Sequence, residues 1–192
     1  MSELKQLKLS LKSSILALCL VLVSAEALAR NKFEVMAGGY SLSAKSPKGS
    51  GSTSNVGLYR VGYFRSLDDQ IDFTLGYTLF FSDVFSGDMG YGPDLGVVYY
   101  PWTSSGTSRL EGETYLMQFQ DVYRPYFGVA FHQRQFQSVE SSYAGFSASA
   151  GCEYGWAEKY SLRGEVRFST LTGPNSATAS QFDVLVGLGF NL

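Results

Sequence analysis

The stretch FDVLVGLGFNL, residues 182–192, alternates large apolar residues with smaller or polar ones at nearly every position. Its apolar positions are two residues apart, and they comprise Phe182, Val184, Val186, Leu188, Phe190 and Leu192. A period of two predicts a β-strand with one apolar face, because successive side chains of a strand point to opposite sides. At a rise of about 3.3 Å per residue, such a strand is long enough to cross the ~30 Å hydrocarbon layer of a membrane at a tilt.

The N-terminal segment has the composition of a secretory signal peptide. Lysines at positions 5, 8 and 12 precede an apolar run at Ile15–Val23, and a small-residue triplet ends at Ala29. The run is too short to span a bilayer as a helix, and a small-x-small triplet is what a signal peptidase cleaves after. We therefore expect residues 1–29 to be a signal peptide and residues 30–192 to be the mature domain.

The composition of the mature chain limits its functions. Removing residues 1–29 from the 192 leaves 163, with 12 Lys or Arg and 15 Asp or Glu, so the net charge is near −3. Such a small and mixed charge excludes an electrostatic nucleic-acid binder, and the length suits one domain. Cys152 is the single mature cysteine, which excludes an intramolecular disulfide. No apolar stretch is long enough for a transmembrane helix, so a membrane location requires strands.

Alternation of period two, with turn residues between the runs, predicts eight strands. An even number lets an antiparallel meander begin and end on the same side of a membrane, as single-chain bacterial barrels do. The predicted strands lie at Lys32–Ser43, Asn55–Leu67, Ile71–Ser82, Tyr91–Tyr99, Pro125–Gln137, Ala144–Trp156, Tyr160–Phe168 and Phe182–Leu192.

The volume of an eight-stranded barrel determines which face of the strands points outward. Such a barrel encloses an interior just wide enough to be filled by side chains. The apolar face carries nearly all the strand Phe, Tyr and Trp residues, which do not fit inside together, whereas the other face is mainly Gly, Ser and Ala with a few charges. We expect the apolar face to point outward, toward lipid. A secreted ligand-binding barrel with the opposite orientation is the alternative.

The chain resembles the small outer-membrane β-barrel superfamily of Gram-negative bacteria, which contains the OmpX-like proteins and the OmpA transmembrane domain. The resemblance covers residues 30–192 and is most specific in the C-terminal strand, whose apolar face resembles the signal that the barrel-assembly machinery recognises. It implies a closed, all-β, eight-stranded antiparallel up-and-down transmembrane barrel. It also implies contact with outer-membrane lipids and lipopolysaccharide, in a monomer. The family's last residue is typically aromatic, whereas here it is Leu192.

Strand parity places four predicted loops outside the membrane, at Ala44–Ser54, Val84–Met89, Ser138–Ser142 and Leu171–Ser180. The longest connection, Thr103–Arg124, falls on the periplasmic side, where turns are usually short. Its apolar residues fit the spacing of a short amphipathic helix at the inner rim. They also fit period two, which makes the segment an extension of the fifth strand or an extra hairpin.

Charged residues on the inward face predict a polar cluster in the lumen. The inward set comprises Glu34, Arg60, Asp72, Asp94, His132, Arg134, Glu153, Arg163, Glu165, Arg167 and Asp183. Buried charges are costly unless they are paired, so we expect an ion-pair network that fills the barrel. A polar pore is the alternative, although eight strands leave no room for a wide channel.

An enzyme that modifies lipid A is the other alternative, because some similar barrels transfer or remove acyl chains. His132 is the single histidine, and no serine lies two residues after it, as the lipid A deacylases would have. One histidine and one mature cysteine cannot form the usual zinc sets, so we expect no metal and no cofactor. The sequence therefore predicts a non-catalytic outer-membrane barrel with a structural or surface-interaction role.

Overall fold

The computed structural model describes residues 31–192, apart from residues 48, 69, 82–88, 103–106, 112–115, 121–122, 138–140 and 158. The predicted signal peptide, residues 1–29, lies outside the described residues. Within the described part of the chain, no helix is long and apolar enough to cross a membrane.

Ten β-strands account for most of the described residues. They are β1 Asn31–Ser46, β2 Gly49–Ser66, β3 Ile71–Phe81, β4 Met89–Tyr99, β5 Thr107–Glu111, β6 Leu116–Gln120, β7 Tyr123–Phe136, β8 Ser141–Ala157, β9 Tyr160–Thr172 and β10 Thr178–Asn191. Eight of them, all but β5 and β6, form a closed antiparallel barrel in the order β1-β10-β9-β8-β7-β4-β3-β2. Each of the eight predicted strands falls on one barrel strand, so the predicted fold class is confirmed.

The register of the barrel shows how narrow it is. Paired residues lead from Glu34 on β1 around every barrel strand and back to β1 at Ala44, ten residues further along. Strands with such a stagger tilt by roughly 35–45° from the barrel axis, and eight of them leave an interior just wide enough for side chains. The closing seam ends where the Leu192 amide donates to the Asn31 carbonyl at 2.9 Å.

The outer wall of the barrel is apolar on every barrel strand. Large side chains there are substantially exposed, for example Tyr59 on β2 at 50%, Phe127 on β7 at 51% and Val186 on β10 at 55%. A soluble protein does not expose a continuous apolar surface of this extent, whereas lipid solvates it. The predicted outward orientation of the apolar face is therefore confirmed, and the alternative of a secreted barrel with its apolar face inward is wrong.

One predicted outer loop, residues 44–54, is largely strand, and half of another, residues 171–180, is strand. Residues 44–46 continue β1 and pair with β2 as far as Ser46 opposite Gly49, and β9 extends to Thr172. The short turn before β10 contains a 3₁₀ segment at Pro174–Ser176. The prediction failed because both faces of a strand become polar beyond the membrane, so the period-two signal disappears while backbone pairing continues. The other two loops lie mostly outside the described residues; Met89 begins β4 and Ser141 begins β8.

The long connection between the fourth and fifth barrel strands contains an extra hairpin. Its strands β5 and β6 pair from Thr107 opposite Gln120 to Glu111 opposite Leu116. The hairpin alternative is therefore confirmed, and the amphipathic helix is wrong. Short apolar runs fit either period, so backbone pairing rather than sequence spacing distinguished the two. The connection also ends earlier than predicted, because Arg124 belongs to β7.

We expect Val186→Arg, in the middle of β10, to lower the free energy of unfolding by about 2–4 kcal/mol, because it places a charge on the lipid-facing wall. Thr178→Arg is the matched control, since it lies on the same face of the same strand at the polar outer end. Its expected cost is about 0–1 kcal/mol. Urea titrations in phospholipid vesicles measure both values. Equal costs for the two variants would contradict a lipid-facing wall.

Candidate functional site

The inward face of the barrel strands buries every residue of the predicted polar cluster. All eleven side chains are at most 4% exposed: Glu34, Arg60, Asp72, Asp94, His132, Arg134, Glu153, Arg163, Glu165, Arg167 and Asp183. They alternate with the exposed apolar residues of the same strands, which is why the strand period brings them together inside. Ion pairs connect strands that are not neighbours in the sheet, so the contacts cross the barrel interior.

Glu165 on β9 is the most highly connected acid of the interior. Its Oε1 accepts from Arg60 Nη1 at 2.9 Å and from Arg167 Nη2 at 2.6 Å. Its Oε2 accepts from the Tyr126 hydroxyl at 3.0 Å and from Arg163 Nη2 at 3.3 Å. Three guanidinium groups thus share one carboxylate, which compensates part of the cost of burying them.

Arg163, on the same strand, is held by aromatic rings as well as by charge. Its guanidinium carbon lies 3.8 Å from the centre of the Tyr126 ring and 4.6 Å from that of Phe64. Its Nε donates to the Tyr126 hydroxyl at 2.6 Å, and its Nη1 lies 3.1 Å from Glu34 Oε2. Contact with a ring face stabilises a desolvated cation, so the two rings add to the ion pairs that hold this arginine.

A glycine on the neighbouring strand makes room for this arrangement. A Cβ atom at Gly151 on β8 would overlap the ring and hydroxyl of Tyr126. Only glycine therefore lets the tyrosine lie flat against the wall and reach Glu165. The small residues that the sequence places on the inward face create the volume that the charged side chains occupy.

A second cluster lies near the end of the barrel that carries both termini. Glu153 Oε2 accepts from Lys32 Nζ at 2.6 Å and from the Tyr100 hydroxyl at 3.2 Å, while Arg124 Nη1 lies 3.9 Å from Oε1. Sequence analysis did not include Lys32 or Arg124 in the inward set. Lys32 lies an even number of residues from Glu34 on β1, and Arg124 lies an even number from His132 on β7, so both lie on the inward face. Continuing the two-residue alternation toward the ends of these strands would have identified them.

A third cluster lies further from the termini, around Asp94 on β4. Its carboxylate is bonded to His132 Nδ1, to Arg134 Nη2 and to the Thr78 hydroxyl. Arg134 also donates from Nη1 to backbone carbonyls of β4 and β7. The remaining two predicted acids have neutral donors: Gln181 donates to Asp183 at 2.7 Å, and Ser66 donates to Asp72 at 2.8 Å.

An apolar cluster occupies the part of the interior next to this third cluster. It consists of the buried residues Met36, Tyr40, Leu58, Phe80 and Leu185, with Leu42 and Phe136 packed against them. The Tyr40 and Phe80 rings meet edge to face with centroids 5.4 Å apart, and the Tyr40 hydroxyl donates to the Phe81 carbonyl at 2.8 Å. We call this group the apolar plug. It differs from the uniformly polar interior that the sequence predicted.

The buried charges of the described residues are equal in number for the two signs. Six of them are basic (Lys32, Arg60, Arg124, Arg134, Arg163 and Arg167) and six are acidic (Glu34, Asp72, Asp94, Glu153, Glu165 and Asp183). An interior with equal numbers of both signs avoids a net buried charge. Within the described ranges, no group of three or more His, Cys, Asp or Glu side chains is arranged to hold a metal ion.

Comparisons with known proteins bear on the fold. No protein-family model and no curated protein matches the sequence. Neisserial surface protein A matches with a TM-score of 0.57 at 15% identity, and the match covers 83% of this chain and 97% of that one. The N-terminal β-barrel domain of Pseudomonas aeruginosa OprF matches with a TM-score of 0.51 at 16% identity, covering 86% of this chain and 100% of the domain. The chain has the fold of the small outer-membrane β-barrels. At these identities the similarity establishes the fold alone, which confirms the predicted resemblance.

We expect Glu165→Gln to lower the free energy of unfolding by about 3–5 kcal/mol, because it leaves Arg60, Arg163 and Arg167 without their shared carboxylate in a buried site. The substitution preserves side-chain volume, so packing is not the cause. Asp68→Asn in the exposed turn before β3 makes the same chemical change near solvent and should cost less than about 1 kcal/mol. Urea titration in vesicles measures both, and a loss for Glu165→Gln no larger than the control's would rule out a cooperative interior network.

Proposed function

We propose that the chain is a bacterial outer-membrane barrel with a structural or surface-interaction role, a plugged interior and no catalytic activity. One observation carries the proposal: a closed barrel combines an apolar outer wall with an interior occupied by matched charges and an apolar layer. The outer wall suits lipid, and the filled interior suits neither transport nor access of a substrate. The barrel then serves as a rigid support for the segments at its two ends.

The same features support the expected partners. The outer wall would contact outer-membrane lipids and lipopolysaccharide on all sides. The outward residues of β10, which include Phe182 and Leu188, offer the barrel-assembly machinery the apolar face that the resemblance implies. Because β1 pairs with β10, the barrel has no free edge, and a monomer satisfies its backbone without a second subunit. We therefore infer a monomer.

Surface interactions would be made at the end of the barrel farther from the termini. There the β1–β2 hairpin extends beyond the apolar wall, and its outward positions are polar and exposed, including Ser43 and Lys45 on β1 and Ser50 on β2. The strands remain paired to Ser46 opposite Gly49, so the hairpin is a defined projection. A short polar hairpin suits contact with polar surface components.

The plugged interior leads to a test by conductance. Reconstituted in planar lipid bilayers, the mature chain should produce no discrete, reproducible channel openings, because a narrow barrel filled by ion pairs and the apolar plug leaves no aqueous path. A general porin reconstituted in the same way verifies that the bilayer reports open channels. The shift in gel mobility on boiling verifies that the sample is a folded barrel. Stable openings of a folded sample would favour the pore instead.

The enzyme alternative requires a catalytic group that lipid can reach. His132 is fully buried on the inward face, and its Nδ1 is bonded to Asp94, so this histidine cannot contact an acyl chain at the outer wall. We expect the lipid A of cells that express the chain to have the same mass spectrum as that of cells without it. A His132→Ala variant is the control. A change in acylation that appears with the natural chain and disappears with His132→Ala would overturn the proposal.

A further inference from the structure

In the part of the outer wall that the structure describes, polar groups and tyrosine rings line a notch where aliphatic side chains would be expected. It lies across β3, β4 and β7, has a volume of about 230 Å³, and is lined by Tyr77, Tyr91, Gly92, Pro93, Gln133 and Gln135. We call it the wall notch. Its lining residues carry no formal charge, and both glutamine side chains are exposed. Exposed amides are costly in hydrocarbon, so these two side chains suit the headgroup level of a membrane, where polar partners are available.

An interruption in backbone pairing produces the wall notch. Strands β4 and β7 are paired at Tyr91 opposite Gln135 and again at Asp94 opposite His132, but the two positions between them are not paired. Pro93 has no N–H to donate, which explains the interruption. From inside the barrel, Arg134 Nη1 donates to the carbonyls of Gly92, Pro93 and Gln133 at 3.2 Å each. The guanidinium thus satisfies these carbonyls on the inner side, and the notch remains open on the outer side.

The wall notch lies in the half of the barrel that is farther from the termini. Along β7 the outward residues are Phe127, Val129 and Phe131, and then Gln133 and Gln135. We place the boundary between hydrocarbon and headgroups at this change in polarity. A lipid beside the notch would therefore present its headgroup to the two glutamines and its acyl chains to the apolar residues below them.

The chemistry of the wall notch suits a sugar. The rings of Tyr77 and Tyr91 are stacked, with centroids 6.5 Å apart and planes inclined by 22°. Aromatic rings pack against the C–H faces of a pyranose, and glutamine amides both donate to and accept from hydroxyl groups. Gln133 Nε2 already donates to Ser142 Oγ at 3.3 Å, which orients its amide carbonyl. A phosphate headgroup would instead require basic residues, and the lining of the notch contains none.

We propose that the wall notch binds the sugar headgroup of a membrane glycolipid whose acyl chains lie along the apolar wall below it. This inference deepens the proposed outer-membrane role by naming a lipid class and its binding site. The recognised unit is an uncharged pyranose ring, held between the tyrosine rings and the glutamine amides. Phospholipids contact the same wall through their acyl chains alone and are not selected.

Native mass spectrometry of the folded mature chain tests the inference with three lipid probes: lipid A, glucosyl diacylglycerol, and phosphatidylglycerol with the same acyl chains as the glucosyl lipid. We expect both sugar lipids to be retained at least about tenfold more than phosphatidylglycerol. The Gln133→Leu/Gln135→Leu double variant should lower their retention to the phosphatidylglycerol level. Thr170→Leu, which replaces an exposed polar residue on β9, is the matched control and should retain them fully.

Three results would overturn the inference. Equal retention of phosphatidylglycerol would show binding by acyl chains, and retention of lipid A without the glucosyl lipid would show binding by phosphate. Unchanged retention by the double variant would place the site elsewhere. Each variant is first checked for the shift in mobility on boiling; if the double variant does not fold, Tyr91→Leu replaces it with the same expected loss. Fractionation of expressing cells tests the outer-membrane role separately, so failure of one proposal is distinguishable from failure of the other.

Discussion

The narrow closure of the barrel is the constraint on which the rest of the structure depends. Eight strands with a ten-residue stagger enclose a space that side chains must fill, and each barrel strand pairs with a neighbour on both sides. A large aromatic residue on the inward face therefore needs a glycine beside it, as Tyr126 needs Gly151. A charged residue there needs an opposite charge within reach. Composition, charge balance and small-residue placement all follow from this limited volume.

A polar interior inside a membrane-spanning wall costs desolvation free energy, and the ion-pair network offsets part of that cost. Each buried ion loses its hydration, and it is stabilised only where geometry provides several partners at once. Glu165 meets this condition with three arginines and a tyrosine, and Arg163 meets it with two aromatic rings and two carboxylates. The apolar plug packs beside the network. The result is a solid interior in which polar side chains have structural roles.

The outer wall is stabilised differently from the interior. Its apolar side chains are solvated by lipid and need no partners, whereas the interior charges must be paired. A polar group on that wall therefore indicates a place where the wall meets something other than acyl chains. The amides of Gln133 and Gln135 are such groups, and they lie beside the interruption in backbone pairing at Pro93. Arg134 contacts both the interior cluster and the backbone at the notch. It pairs with Asp94 inside the barrel and donates to the backbone carbonyls behind the notch. Thus a local break in the ladder is satisfied from within, and the adjoining outer surface becomes polar.

The sequence by itself determined the number of barrel strands, the closed barrel and the outward direction of the apolar face, since period two is a local property that needs no knowledge of neighbours. It also placed eleven ionisable residues on one face. Only the tertiary structure decided which of them meet: Arg60 and Glu165 are 105 positions apart and belong to strands on different parts of the wall. Register around a closed sheet sets such pairs, and register depends on all strands together. For the same reason the apolar plug and the extended pairing of the β1–β2 hairpin became visible only in three dimensions, and the structure was needed to choose the β5–β6 hairpin over a helix.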